Sequence, residues 1–284
     1  MTDIATVQVG GKSSVKVMGV LNVSPESFYR GSVRTADREI AAAAAQMQQE
    51  GAHVIDIGAM STAPYLDTAI SVEEEVRRME HAVTVVKRSC DLPISADTPR
   101  ARVAQEAIAA GADAINDVTG FKHDAQMASV IAGADIPVIL CAYSLAPATG
   151  RMSGTLKALR ESIILGKKAG IKESRMIIDP SIGFFRNEGK NPFFTRMTDM
   201  PWYTRDMQVL SKLNELAALR KPVCVSVSRK SFIGHLLNLK APEDRLAPSL
   251  ICEAIAALNG ASIIRTHNVR ETVQSLTMLH LLAR

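Results

Sequence analysis

The chain has 284 residues, of which 47% are hydrophobic and 4% aromatic, and its formal net charge is +4. So few aromatic residues argue against a base-stacking surface for nucleic acid, and the interspersed charges argue against a polybasic one. The length suits one α/β barrel, and the hydrophobic content is sufficient to fill its core.

The N-terminal segment MTDIATVQVGGKSS lacks the long apolar core of a secretory signal, and no charge-free apolar stretch is long enough to cross a membrane. The cysteines are far apart and form no CxxC pair, so we expect free thiols in a reducing compartment. They are Cys90, Cys141, Cys224 and Cys252. We therefore predict a cytoplasmic protein without a membrane partner.

Eight short apolar runs are spread along the chain, and each ends at or contains a polar group. In chain order these groups are Asn22, Asp56, Asp97, Asn116 with Asp117, Cys141, Asp179, Ser228 to Lys230, and Arg265 with His267. Eight parallel strands alternating with helices close into a barrel, and the C-terminal ends of the strands then face one mouth. The sequence predicts a single-domain (β/α)8 TIM barrel over residues 1–284, with a ring of polar side chains at that mouth.

The helical segments between these runs show apolar spacing of three and four residues. They are predicted at 72–88, 99–110, 204–219, 242–259 and 269–283. A recurring joint, in which a helix ends in glycine before the next strand, supports repeated βα units. The glycines at these joints are Gly51, Gly111, Gly133 and Gly260, with Gly170 as a fifth. Two irregular regions, 24–34 and 181–203, follow strands and should hang over the predicted mouth.

Asp97, Asn116 and Asp179 should point to the mouth from the third, fourth and sixth strands. Two carboxylates and an amide could form a metal site. They could instead read a flat heterocycle such as a pterin, because a carboxylate accepts hydrogen bonds from its amine and its ring N–H. A third interpretation is that they cap the following helices, since Asp97 precedes Thr98 and a proline.

Two further polar clusters follow the last two strands. In SRKSF, Lys230 can donate to a ring nitrogen or carbonyl, and Ser231 opens a predicted helix that could hold an anion. In RTH, Arg265 can bind phosphate oxygens bidentately and His267 adds a donor. Asn22 ends the neighbouring first strand, and its amide oxygen suits Mg²⁺, an ion that is often held by few protein groups plus phosphates. Arg265, His267 and Asn22 together resemble a diphosphate site.

Seven strings occur in an order and spacing that resemble the dihydropteroate synthase family. They are MGVLNVSPESF, GAHVIDIGAMSTAP, ISADT, GADAINDVTG, IIDPSIGF, SRKSFIG and RTHNV. The resemblance implies a pterin-binding barrel that joins a 6-hydroxymethyl-dihydropterin diphosphate to para-aminobenzoate and releases diphosphate, with Mg²⁺ as cofactor. It also implies a homodimer, and loops 24–34 and 59–68 that close to exclude water.

The resemblance assigns roles to matching positions. The implied pterin-binding set is Asp97, Asn116, Asp179 and Lys230. The implied diphosphate and Mg²⁺ set is Asn22, Arg265 and His267, and these three with Lys230 form the implied catalytic set. Contacts with diphosphate or the arylamine are implied for Thr62, Phe184 and Ser231.

The chain departs from the usual family pattern at several positions. Ala63 stands where arginine is usual, Ser181 where glycine is usual, and Asn268 where an acid is common. Basic residues in the two long loops could receive a different anion, and they are Arg30, Arg186, Lys190 and Arg196. The departures keep open a related enzyme that takes a ribosyl-phosphate-substituted arylamine for a methanopterin-type cofactor. A pterin-dependent methyltransferase that serves a corrinoid protein and a catalytically silent pterin-binding protein also remain alternatives.

Overall fold

The computed structural model describes residues 1–27, 29, 31 and 33–282. The strands there are β1 (Thr2–Ile4), β2 (Val7–Val9), β3 (Lys16–Asn22), β4 (Val54–Gly58), β5 (Ile94–Asp97), β6 (Ala114–Asp117), β7 (Val138–Cys141), β8 (Met176–Asp179), β9 (Phe185–Arg186), β10 (Thr195–Arg196), β11 (Cys224–Ser226) and β12 (Ile263–Thr266). The α-helices are α1 (Asp37–Gln49), α2 (Val72–Ser89), α3 (Ala101–Ala110), α4 (Met127–Ala134), α5 (Met152–Lys168), α6 (Trp202–Ser211), α7 (Ser231–Leu236), α8 (Leu246–Leu258) and α9 (Val269–Leu282).

Eight parallel strands form one sheet in the order β11-β12-β3-β4-β5-β6-β7-β8. The two outer strands of this order meet through a parallel bridge between Ile178 and Val223. There, the amide of Ile178 donates to the carbonyl of Pro222 over 3.0 Å. The sheet therefore closes, and the prediction of a (β/α)8 barrel is confirmed.

Alternation along the barrel strands separates two environments. Ile55, Ile115 and Leu140 point outward and pack with apolar side chains of the surrounding helices. The other face fills the barrel interior, and near the N-terminal ends of the strands it is apolar. Met18, Val54, Ala114, Ile139, Ile177, Cys224 and Ile263 form that layer. Toward the C-terminal ends the inward positions become polar, so the pattern of the strands itself places a hydrophilic layer at one mouth.

The N-terminal segment forms a hairpin that the sequence did not reveal. β1 and β2 pair antiparallel, with Ile4 opposite Val7. Ile4 and Val9 are fully buried and pack in the same cluster as the lower layer of the barrel. The hairpin therefore covers the N-terminal mouth of the barrel, and the cleft described below opens at the other end.

The helices match most of the predicted spans, with local differences. The helix predicted over 242–259 is a 3-10 turn up to Arg245 and an α-helix from Leu246. α3 begins at Ala101, because Arg100 is still extended, so Pro99 lies before the helix. The helix expected over 204–219 ends at Ser211 and continues as a 3-10 turn. α4 runs through Gly133 and ends at Ala134, and the next residue, Asp135, has a left-handed φ of 50°. Gly133 is therefore not a helix end, whereas the other four glycines of the joint all have positive φ.

No helix among the described residues has the length and apolarity to cross a bilayer. All four cysteines are free.

Candidate active site

One cleft opens at the C-terminal mouth of the barrel and contains about 950 Å3 of space, including its open entrance. All ten residues predicted as site residues line it: Asn22, Thr62, Asp97, Asn116, Asp179, Phe184, Lys230, Ser231, Arg265 and His267. Barrel closure thus brings together side chains from all parts of the chain.

Arg265 occupies the centre of the polar layer. Its Nε donates to Asp56 Oδ2 over 2.6 Å, and one terminal nitrogen donates to Asp97 Oδ2 over 2.7 Å. Asn116 Nδ2 donates to the same oxygen of Asp56 over 3.3 Å. Burial raises the pKa of Asp97 to about 7, and the positive charge of Arg265 opposes that rise. The two carboxylates in turn raise the pKa of Arg265, so this guanidinium is charged.

Asp56 was noted in its strand, yet it was missing from the predicted site set. It is fully buried, and its other oxygen, Oδ1, has no hydrogen-bond partner among the described residues. The sequence does contain a signal for Asp56, which is a carboxylate inside the apolar string HVIDIG. A buried carboxylate needs a hydrogen-bond or ion-pair partner. That partner is distant in sequence, so the pairing could not be read from the string.

Asp179 and Lys230 form the adjacent wall. Asp179 Oδ1 accepts the backbone amide of Ser181 over 2.7 Å. Burial raises the pKa of Asp179, while that hydrogen bond and Lys230 oppose the rise. Burial, with the nearby charge of Arg265, lowers the pKa of Lys230 to about 8. The Lys230 ammonium lies 4.5 Å from the centroid of the Phe184 ring.

His267 and Asn22 line the side toward β3. Burial lowers the pKa of His267 to about 3, helped by Arg265 and Lys230, so the imidazole is neutral near pH 7. Its Nδ1 lies 3.2 Å from Ser228 Oγ. Asn22 Nδ2 donates to Ser27 Oγ over 3.3 Å. Asn22 Oδ1 lies beside Gly58, so close that a Cβ at Gly58 would be 2.9 Å away.

Comparison with known proteins identifies this arrangement. A family model described as "Pterin binding enzyme" matches residues 18–267. The dihydropteroate synthase of Bacillus subtilis (strain 168) is 34% identical over 271 residues, which cover 94% of this chain and 88% of that protein. The chain belongs to the dihydropteroate synthase family.

Solved structures of the dihydropteroate synthase family share the fold. The Coxiella burnetii protein, in complex with pteroic acid, has a TM-score of 0.81 and 33% identity, and the match covers 95% of this chain and 94% of that one. The Xanthomonas albilineans protein, with 4-aminobenzoic acid, has a TM-score of 0.82 and 33% identity, covering 95% and 93%.

The departures from the usual family pattern have visible consequences. Ser181 has a φ of 57°, which is a left-handed conformation that suits glycine better than serine. Its hydroxyl is buried without a partner among the described residues. Asn268 Oδ1 accepts a hydrogen bond from Arg229 Nε over 2.9 Å, so this arginine is paired with a neutral amide and not with a carboxylate. Ala63 is buried and lines the cleft.

Of the basic loop residues, only Arg186 is described as part of the cleft wall. Lys190 and Arg196 are exposed. Arg30 lies outside the described residues. Arg186 is buried, and one of its terminal nitrogens donates to Ser231 Oγ over 2.6 Å. Its guanidinium carbon lies 3.8 Å from the centroid of the Trp202 ring.

The loops around the cleft are tied to each other and to the helix layer. Asn191 Nδ2 donates to the carbonyl of Ser61 over 3.3 Å, which joins regions 181–203 and 59–68. Arg205, fully buried on α6, donates to the carbonyls of Pro180 and Ser181. Its neighbour Asp206 accepts the amide of Gly183 over 2.9 Å. These contacts hold the segment between Asp179 and Phe184 in place.

Proposed function

We propose that this protein is a transferase that condenses 6-hydroxymethyl-7,8-dihydropterin diphosphate with para-aminobenzoate and releases diphosphate. The observation that carries this proposal is the convergence of Asp97, Asn116, Asp179, Lys230 and Arg265 on one cleft in a member of the dihydropteroate synthase family. One relative is solved with pteroic acid, which contains a pterin joined to aminobenzoate, and another with 4-aminobenzoic acid, and both support this pair of substrates.

The pterin would bind to the strand-end residues. Asp179 accepts hydrogen bonds from its amine and ring N–H groups, and Lys230 donates to its ring acceptors. Asp97 and Asn116 complete the polar rim, and Arg265 holds Asp97 in place through the 2.7 Å ion pair. Hydrogen bonds to a buried charged group are worth about 1.5–3 kcal/mol each, so this set is sufficient to orient one ring.

The diphosphate would lie toward Asn22 and His267. In the described residues no cluster of three or more acidic, histidine or cysteine side chains could hold a metal. The amide oxygen of Asn22 suits a Mg²⁺ ion that is held mainly by diphosphate and water, with Asn22 as its protein ligand. The ion, when bound, neutralises charge on the leaving group. Neutral His267 contributes a hydrogen bond, and Arg265 contributes positive charge near the breaking bond.

Bond formation requires no strong base in this arrangement. The arylamine nitrogen attacks the methylene carbon as the carbon–oxygen bond to diphosphate breaks, and one amine proton then passes to solvent. An arylamine is already nucleophilic when neutral. Thr62, Phe184 and Ser231 would position it, and the loops would exclude water that competes as nucleophile.

A diphosphate-release assay tests the proposal. The purified protein would be given the pterin diphosphate, Mg²⁺ and a panel of arylamines that includes para-aminobenzoate and a ribosyl-phosphate-substituted aminobenzene. We expect turnover with para-aminobenzoate and a pteroate product by mass spectrometry. Preference for the phosphorylated arylamine, or methyl transfer without diphosphate release, would overturn it.

We also propose a cytoplasmic homodimer in which residues 1–284 act as one unit. Ile251, Ile255 and Leu258 form an exposed apolar stripe on α8, beside exposed Met278 and Leu281 on α9. Such a patch is typical of a contact surface. Sedimentation of Leu258→Glu beside the unaltered protein tests it, and a monomer in both samples would contradict it.

A further inference from the structure

Arg186 is a buried cation without a direct ion-pair partner among the described residues, although the buried Asp206 acts on its charge from farther away. It is 7% exposed, and no carboxylate in the described ranges lies within ion-pair distance of it. Its Nε donates to the carbonyl of Gly183 over 2.9 Å and one terminal nitrogen donates to Ser231 Oγ. A guanidinium has five N–H donors, so these two contacts leave donor capacity toward the cleft. Burial lowers the pKa of Arg186, and the charge of Asp206 opposes this shift only in part.

The rest of the cleft distributes its charges differently. At the strand ends Arg265 lies between Asp56 and Asp97, and Lys230 faces Asp179. Acids there outnumber cations by one. In the part of the cleft that loops line, Arg186 supplies the excess positive charge. Its guanidinium carbon lies 5.9 Å from the centroid of the Tyr65 ring and 3.8 Å from that of the Trp202 ring. A ligand complementary to this cleft offers N–H donors at one end and an anion at the other.

We propose that Arg186 binds the carboxylate of the arylamine and thereby selects arylamines that carry an anionic group at the end opposite the amine. This inference rests on the proposed function. The planar guanidinium fork matches a carboxylate, which accepts two parallel N–H bonds from it. Ser231, already bonded to Arg186, adds a hydroxyl beside the same carboxylate.

Arg196 provides a matched control. It pairs with Arg186 across the short β9–β10 ladder, but its side chain is exposed and does not line the cleft. The two arginines thus share a local backbone setting and differ in the direction of the side chain.

The test measures KM and kcat for para-aminobenzoate and for neutral para-aminobenzamide in R186M, R186K and R196M. We expect R186M to raise the KM for the benzoate by about 10- to 100-fold, the range for losing a hydrogen bond to a charged group. Its KM for the benzamide and the affinity for pterin by calorimetry should stay within about twofold. R186K should fall between R186M and the unaltered protein, because it keeps the charge but not the fork. R196M should leave all values unchanged.

The outcomes separate the two proposals. If the unaltered protein is active and R186M weakens both arylamines equally, or lowers kcat alone, Arg186 has only a structural role and the inference is wrong. If the unaltered protein releases no diphosphate with any arylamine, the proposed function itself fails. Should R186M not fold, the ratio of benzoate to benzamide KM in R186K decides: an unchanged ratio overturns the inference.

Discussion

Strand-end side chains line one part of the cleft, the proposed pterin site, whereas loop side chains line the other part, the proposed arylamine site. Two kinds of contact position the strand-end side chains. One is the pairing of the strands, and the other is ion pairing, such as that between Arg265 and Asp56. In the loops, position depends on a few ties, such as Asn191 to Ser61. Because fewer contacts fix the loop side chains, we expect the proposed pterin site to tolerate fewer substitutions than the proposed arylamine site, where Ala63 already departs from the usual family pattern.

Among substitutions at the strand ends, we expect Arg265→Ala to have the largest effect on stability and pterin binding. It leaves Asp56 and Asp97 buried without their cation, and removing one partner of a buried ion pair costs about 3–5 kcal/mol. We expect the free energy of unfolding in urea to fall by that order and pterin binding to be lost. The role that the family resemblance implies for Arg265, contact with the diphosphate, would leave pterin binding intact, but the contact with Asp97 argues otherwise.

Arg270→Ala serves as the control for that experiment. Arg270 lies five residues further along, and its side chain is 63% exposed beside Glu50. Such surface pairs contribute about 0–1 kcal/mol. Equal unfolding midpoints for the two variants, with pterin binding intact in both, would show that Arg265 does not organise the strand ends.

A second prediction compares two buried strand-end aspartates. Asp179→Asn should weaken pterin binding by about 10- to 100-fold, because the amide loses a charged acceptor. Asp117→Asn should lower stability but leave the pterin affinity of the folded protein unchanged. Asp117 bonds to the amides of Thr119 and Phe121 and does not line the cleft. Calorimetry with an unphosphorylated pterin checks both, and similar affinities in the two variants would contradict the assignment.

The pH dependence of pterin binding sharpens the comparison further. Burial raises the pKa of Asp97 from 3.8 to about 7. Below that pH the carboxyl becomes protonated and loses acceptor capacity, so affinity should decline as pH falls from 8 to 6. The folded protein also holds this proton between pH 3.8 and about 7 while the unfolded chain does not. Its contribution therefore makes the free energy of unfolding decrease as pH rises through that window.

Asp97→Asn is the control for both pH effects. An amide does not titrate, so the slope of pterin affinity below pH 7 should flatten in the variant. An identical slope in the variant and the unaltered protein would assign the titration to another group.

The smallest expected effect concerns the loop that follows β8. Ser181→Gly relieves the φ of 57° and removes a buried unpaired hydroxyl. We expect a gain of about 0.5–1 kcal/mol, because the relief of about 1–2 kcal/mol exceeds the entropy cost of glycine. Ser181→Ala removes the hydroxyl but keeps the strain. Thermal unfolding should rank the glycine variant above the alanine variant, and the reverse order would exclude backbone strain as the cause.

The sequence determined which groups carry the chemistry and which strand each one ends. Alternating apolar positions and a polar residue at the end of each run are local features, so they can be read from neighbouring residues alone. Seven family-like strings then supplied the expected roles. By contrast, the apolar pattern that contains Ile4 and Val9 is too short to predict the hairpin that covers the N-terminal mouth of the barrel.

Only the tertiary structure decided how those groups pair. Arg265 is 209 residues from Asp56 and 168 from Asp97, and contacts at such separations depend on closure and stagger of the sheet. The same holds for Arg186 and Arg196, which look alike in the sequence, yet one faces the cleft and the other faces solvent. Local pattern specifies a residue's face and chemistry, whereas its partners are set by where the rest of the chain folds.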